Sequence, residues 1–300
     1  MMRPRISRRR LATVLAWVGL AACAACADEA RRPDHAPTAH VPAAVAARAA
    51  VADRLFPAAV EDSLLAAEQD LPTGARIAAW ARRFAAADGV VYRFGPEAGG
   101  YVADGALVAD HVQDCVSLLY RTTELARARD GRDAVAWALR TRFAGAPIDS
   151  VAGADGRVDY DHPAHLDYSL DMIRSGHWGR DITAALTGAR PDSAGSSRYP
   201  AGSFTYVPGP DLRGDELADG DIVWFVLAPD HPAGAKLRHE YGLVIGHIGI
   251  VVQGARGPEL VHAARSGLSG RYEGGTVVTV PLAEYLDRVG KFGGVVVTRF

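Results

Sequence analysis

The apolar positions of this chain change period partway along it. Between residues 62 and 143 they recur at helical spacing, and after 218 they fall in short β-branched runs. Ile77, Trp80, Ala81 and Phe84 form one stripe of a helix predicted over 73–87, with Thr73 placed to cap it and Gly89 to end it. DSLLAAEQD at 62–70 predicts a shorter helix ahead of Pro72, and 130–143 a further one. After Asp114, the positions Val116, Leu118, Leu119, Thr122, Leu125 and Ala126 make one wide apolar face, so a buried helix is expected to begin at Cys115. Residues 144–218 are polar and turn-rich, with one amphipathic piece near 165–175. DIVWFVL, HIGIVVQ, ELVHAA, TVVTVPL and GVVVTRF then read as strands of an antiparallel sheet, separated by Gly and Pro. Helices first and strands last predict an α+β fold rather than an alternating parallel one.

The N-terminus carries a different pattern. Arg3, Arg5, Arg8, Arg9 and Arg10 form a basic segment, and residues 11–22 an apolar one too short to cross a bilayer core of roughly 30 Å as a helix. Residues 1–22 therefore read as a signal peptide. Leu20-Ala21-Ala22-Cys23 resembles a bacterial lipobox, which makes Cys23 the expected site of lipidation, and residues 7–11 resemble a twin-arginine signal. Residues 23–50 hold almost no large apolar side chain, bury too little to offset their ordering entropy, and read as a flexible tether. Residues 51–300 remain as a single domain. The expected location is periplasmic, as a membrane-anchored lipoprotein. Ala24 behind the lipidated Cys favours the outer membrane where the host has one.

Composition excludes several classes. Of 300 residues, 49% are hydrophobic and 23% charged, with a formal net charge of −2, so the chain is neither collagen-like nor wholly disordered and carries no basic footprint for nucleic acid. Three cysteines cannot build a disulfide framework. With Cys23 and Cys26 in the signal and tether, Cys115 stands alone in an exported domain, either as a buried inert thiol or as a nucleophile. At a helix start, free N–H groups and the helix dipole favour its thiolate and would help to hold an oxyanion. His247 and His262 each interrupt an otherwise apolar strand, where an imidazole needs a hydrogen-bond partner. Two strands joined by a short turn at 254–258 can set both on one face. Cys115, His247 and His262 then offer a nucleophile, a base and a base-orienting group. No metal or cofactor is expected: HExxH, GxSxG and P-loop motifs are absent, and His162, His165, His239 and Glu240 lie in polar, loop-like sequence.

These residues carry a resemblance. Asp114-Cys115, His247-Ile248-Gly249-Ile250 and His262-Ala263 resemble the motifs of NlpC-type papain-like cell-wall hydrolases. Over roughly 75–300 the chain is similar to the N-acetylmuramoyl-L-alanine amidase-like family within them. Tyr92, Tyr168, Asp171, Asp181-Ile182-Thr183, Gly220-Asp221-Ile222, Gly242-Leu243, Leu282, Tyr285 and the closing GVVVTRF extend the match. The chain departs from the family's pattern at Val91, Tyr120, His165, Met172 and Val244. The resemblance implies a papain-like fold, with N-terminal helices packed on a C-terminal antiparallel sheet or barrel. It implies thiol acyl transfer, with Cys115 as nucleophile, His247 as base and His262 orienting it, and with Tyr92, Asp114, Ser117 and Tyr168 as substrate or oxyanion contacts. Tyr92 also reads as a strand-edge aromatic, and Asp114 as a plain helix cap. The implied substrate is peptidoglycan or muropeptides, cut between N-acetylmuramic acid and L-Ala, with no cofactor and no obligate protein partner. A γ-D-glutamyl-diaminoacid endopeptidase with the same triad, and a non-catalytic lipid-anchored module that binds the cell wall, are the alternatives.

Overall fold

The computed structural model describes residues 53–300 apart from 167 and 267; the signal, the tether and Cys23 lie outside the described residues. Helices come first: α1 (Ala58–Ala67), α2 (Thr73–Ala86), α3 (Cys115–Arg127) and α4 (Gly131–Arg142). The two-residue strands β1 (Val91–Tyr92) and β2 (Val112–Gln113) pair in parallel ahead of α3. Short elements cross the turn-rich middle: α5 (Ile148–Val151), α6 (Leu170–Ser175), β3 (Arg180–Asp181), β4 (Arg190–Pro191) and β5 (Thr205–Pro208). The last third supplies β6 (Ile222–Leu227), α7 (Pro232–Tyr241), β7 (Ile245–Gly254), β8 (Gly257–Ala264), β9 (Thr276–Pro281), α8 (Leu282–Arg288) and β10 (Phe292–Arg299).

The main sheet is antiparallel and runs β4-β5-β10-β6-β7-β8-β9, with β3 paired to the end of β10. The fold is therefore α+β. Closure into a barrel, one form of the expectation, does not occur: the sheet is open, with β4 and β9 at its edges.

Alternation along the strands decides what each face covers. In β6, Ile222, Trp224 and Val226 join Ile245, Ile248 and Val296 against Leu119 and Tyr120 of α3 and Val135 and Leu139 of α4. Val223, Phe225 and Leu227 face the other way, with Val251, Leu260, Val295 and Tyr285. Every residue of β6 is buried, as expected of a strand covered on both faces. Leu65, Ile77, Trp80 and Phe84 close α1 and α2 onto Leu118, Leu125, Ile250, Val261 and Ala263. Each large side chain so buried contributes about 1.5–3 kcal/mol.

Three local expectations shift. The first helix begins at Ala58, behind Pro57, rather than near 62. Thr73 is the first helical residue behind Pro72, not a side-chain cap. Leu282, read into a strand, opens α8 instead, because Pro281 ends β9 and its fixed φ suits a helix entry. The Gly220-Asp221-Ile222 run is architectural. Gly220 has φ +80°, and a Cβ there would stand 2.0 Å from Gly74 O, so the turn into β6 requires glycine. Asp221 pairs with Arg299 at 2.6 Å and ties β6 to β10. Among the described residues, no helix is long and apolar enough to cross a membrane.

Candidate active site

The site begins with the cap of α3. Asp114 Oδ1 accepts the N–H groups of Val116 and Ser117, both at 2.9 Å, and Ser117 Oγ accepts from Asp114 N at 2.8 Å, a reciprocal capping box. Asp114 Oδ2 also takes the Gly95 N–H at 2.9 Å, which fastens the 93–100 loop to the helix start. Leu118 N returns to Asp114 O. The Cys115 N–H is left beside its own thiol, at the open end of the helix. Asp114 is 3% exposed and Ser117 is 4% exposed. Their polar atoms hold the helix tip that presents Cys115, which is the cap reading of Asp114.

The sheet receives that tip where two strands part. The β7–β8 ladder runs from Gly254↔Gly257 to Ile250↔Val261 and stops there, although β8 stays paired to β9 through Ala264. The Ile248 N–H lies close enough to the Cys115 sulfur to favour its thiolate, which sets the thiol against the His247–Ile248 peptide at this parting. On the other edge of β7, the register with β6 slips between Phe225↔His247 and Val226↔Ile245, leaving Gly246 as the extra residue. A bulge of this kind re-aims the side chain beside it, here His247. A glycine just ahead of a histidine inside a strand was the sequence signal for it.

His247 Nε2 and His262 Nδ1 are hydrogen-bonded at 2.8 Å. With His247 donating, its Nδ1 is left bare as a base. His262 then carries its proton on Nε2, a buried atom without a protein acceptor among the described residues. Aromatic rings fix the pair: Phe292 and Tyr285 stack on His247 at 6.2 and 5.9 Å, Phe225 lies at 5.7 Å, and Tyr285 meets His262 edge-on at 4.8 Å. Phe225 and Phe292 looked like plain core residues in the sequence, and nothing in their spacing distinguished them. Cys115 and His247 keep partial exposure, whereas His262 is 3% exposed.

Burial sets the charge state. It pushes the Cys115 thiol up, reinforced by Asp114, while the N–H groups of Ile248 and Cys115 itself pull it back. Burial pulls His247 well down, with His262 and the cation of Lys291 adding to the effect, and pulls His262 down to about 3. All three displacements oppose separated charge, so a neutral thiol and imidazole are the resting forms that this environment favours. An unfolded histidine protonates near pH 6.5, so between about 6.5 and 3 the unfolded chain binds the proton that native His262 refuses. The sign is therefore loss of stability on acidification. Urea unfolding from pH 6.5 down to 4.5 is expected to lose on the order of 1 kcal/mol per pH unit from His262. The slope should be shallower by that amount in His262→Phe; equal slopes would show that His262 does not stay neutral.

Three phenols lie near the thiol, and each is pushed up by burial and then by the neighbouring Cys115. For Tyr92 the result is about 12, so the hydroxyl stays protonated and remains a donor at neutral pH. The Tyr168 hydroxyl is buried and has no hydrogen-bond partner among the described residues. The structure thus brings Tyr92, Tyr168, Cys115, His247 and His262 together, and adds Tyr285 and Lys291. No group of three or more His, Cys, Asp or Glu side chains among the described residues is arranged to hold a metal ion.

No protein-family model matches the chain, and no curated protein matches it. Solved structures do resemble it. A crystal structure of a Bacteroides uniformis N-acetylmuramoyl-L-alanine amidase aligns over 76% of this chain and 98% of its own, with a TM-score of 0.52 and 21% identity. A second structure of an N-acetylmuramoyl-L-alanine amidase from that organism gives 0.51 at the same identity and coverage. A Legionella pneumophila protein of the DUF1460 family aligns over 80% of this chain and 93% of its own, with a TM-score of 0.57 and 15% identity. The likeness is one of fold.

Proposed function

We propose that this protein is an exported cysteine hydrolase of peptidoglycan, an N-acetylmuramoyl-L-alanine amidase on a papain-like, NlpC-type fold. The observation that carries the reading is the meeting of Cys115, at the tip of α3, with the hydrogen-bonded His247–His262 pair in the gap between β7 and β8. The fold shared with the Bacteroides uniformis amidase supports the choice of substrate. Lipidation at Cys23 would hold the domain to a membrane facing the wall, the outer one in a host that has two.

In this reading the Cys115 proton passes to His247 as the sulfur attacks the carbonyl carbon of the lactyl–alanyl amide. An S–C bond forms and the carbonyl π pair moves onto oxygen, held by the Cys115 N–H and the Tyr92 hydroxyl. The C–N bond then breaks, and His247 gives its proton to the departing L-Ala nitrogen. Water, deprotonated by His247, cleaves the thioester to release the muramoyl carboxylate and restore the thiol. His262 accepts from His247 Nε2 throughout and steadies the imidazolium that forms at each proton transfer.

The test incubates the protein and its Cys115→Ala variant with purified sacculi and defined muropeptides, followed by mass spectrometry. Release of stem peptide beginning at L-Ala, by the parent and not the variant, is the expected result. Cysteine-dependent cleavage after D-Glu would replace the amidase with an endopeptidase. Binding of both proteins to sacculi without cleavage would replace the enzyme with a wall-binding module.

A further inference from the structure

The main chain lays Tyr92 against the end of β8. Tyr92 N donates to Gly275 O at 2.6 Å, and Gly275 N donates to Ala264 O at 2.7 Å. The next residue, Arg265, brings its guanidinium carbon to 5.6 Å from the Tyr92 ring centre, which sets the cation beside the phenol oxygen. On its other side Arg265 pairs with Glu97, whose N–H is itself held by Phe94 O at 2.7 Å. A line of contacts therefore runs from Glu97 through Arg265 to Tyr92 and ends beside Cys115.

The donor inventory gives that line a direction. A guanidinium has five N–H donors and no acceptor, so toward it the phenol oxygen can only accept. The single proton of Tyr92 is then turned away from Arg265 and is free for an acceptor on the Cys115 side. The Tyr168 hydroxyl has no such partner among the described residues. We infer that Arg265 is a positioning residue, which with Glu97 orients the Tyr92 hydroxyl as the second oxyanion donor. β8 and its extension would thereby supply two orienting groups three residues apart, His262 for the base and Arg265 for the oxyanion donor.

This inference rests on the cysteine acyl-transfer reading, and the test separates the two. The full chain is mixed with p-nitrophenyl acetate, whose acetyl group passes to Cys115 Sγ as p-nitrophenolate leaves, and the release of nitrophenolate is followed. Arg265→Met should slow acylation by about tenfold with little change in the half-saturating ester concentration, because an oriented donor acts on the transition state. Arg265→Lys, which keeps a cationic donor, should recover part of the loss. In a Tyr92→Phe background, Arg265→Met should change nothing further. The same loss in both backgrounds, or no loss in either, overturns the role given to Arg265. A parent protein that releases no more nitrophenolate than Cys115→Ala removes the acyl-transfer reading, and this inference with it. Arg265 is 66% exposed at its side chain, so these substitutions leave the core untouched.

Discussion

His247→Gln is expected to lower muropeptide hydrolysis by on the order of 10³-fold or more, while Cys115 stays alkylatable at high pH. The size follows from two duties falling on one ring. Burial raises the Cys115 thiol, so little thiolate exists at neutral pH unless a neighbour takes the proton during attack. An amine leaving group also departs poorly unless it is protonated, and in the proposed reading His247 Nδ1 returns that proton. Glutamine preserves volume between Phe225, Tyr285 and Phe292 but can do neither. Iodoacetamide labelling across pH, alongside product analysis, measures both halves: labelling at neutral pH should fall and recover as solvent removes the proton. Retention of more than about a tenth of the hydrolytic rate would assign the base elsewhere.

Glu124→Ala is expected to cost about 3–5 kcal/mol of folding stability, the largest loss among single polar substitutions away from the site. Glu124 is 1% exposed and accepts from Arg142 Nε at 2.7 Å, Arg142 Nη2 at 2.8 Å and Arg121 Nη1 at 3.2 Å. Arg121 also meets Asp110 at 2.6 Å, and Arg142 lies over the Tyr120 ring and bonds Leu107 O. Removing the carboxylate leaves two buried guanidinium groups undercompensated in a medium where charge is costly. Guanidinium titration at pH 7 checks the figure. Glu124→Leu combined with Arg142→Met should recover much of the loss, since an apolar replacement of both partners removes the orphaned charge. A cost under about 1 kcal/mol for Glu124→Ala would mean that water reaches the network.

This network shows where sequence reading ran out. Arg121 and Glu124, three apart on α3, have the spacing of an exposed helical ion pair. They are buried because α4 lays Arg142 and the loop before β2 lays Asp110 against the same side, an arrangement that only tertiary packing reveals. Tyr120, a departure from the family pattern, is likewise explained as the ring beneath Arg142. What could be read were features written locally. Asp114 and Ser117, three residues apart, fix the start of α3 at Cys115, and two histidines inside apolar runs marked β7 and β8. Strand order was not legible, because β10 follows β9 in the chain but docks between β5 and β6. Nor was the parting of β7 from β8, which is defined by where a ladder ends and not by any residue type.

The place of β10 has a consequence for how the molecule comes into being. A strand near the middle of the sheet is drawn from the last residues described, and Phe292 at its start is one of the rings stacked on His247. During synthesis, α3 and its thiol emerge long before the ring that stacks on His247, and a chain that stops short of residue 292 lacks that ring. On the cysteine-hydrolase reading, hydrolytic competence is then a late event in the life of each molecule. On that reading a nascent or truncated chain is expected to be inert until β10 is in place.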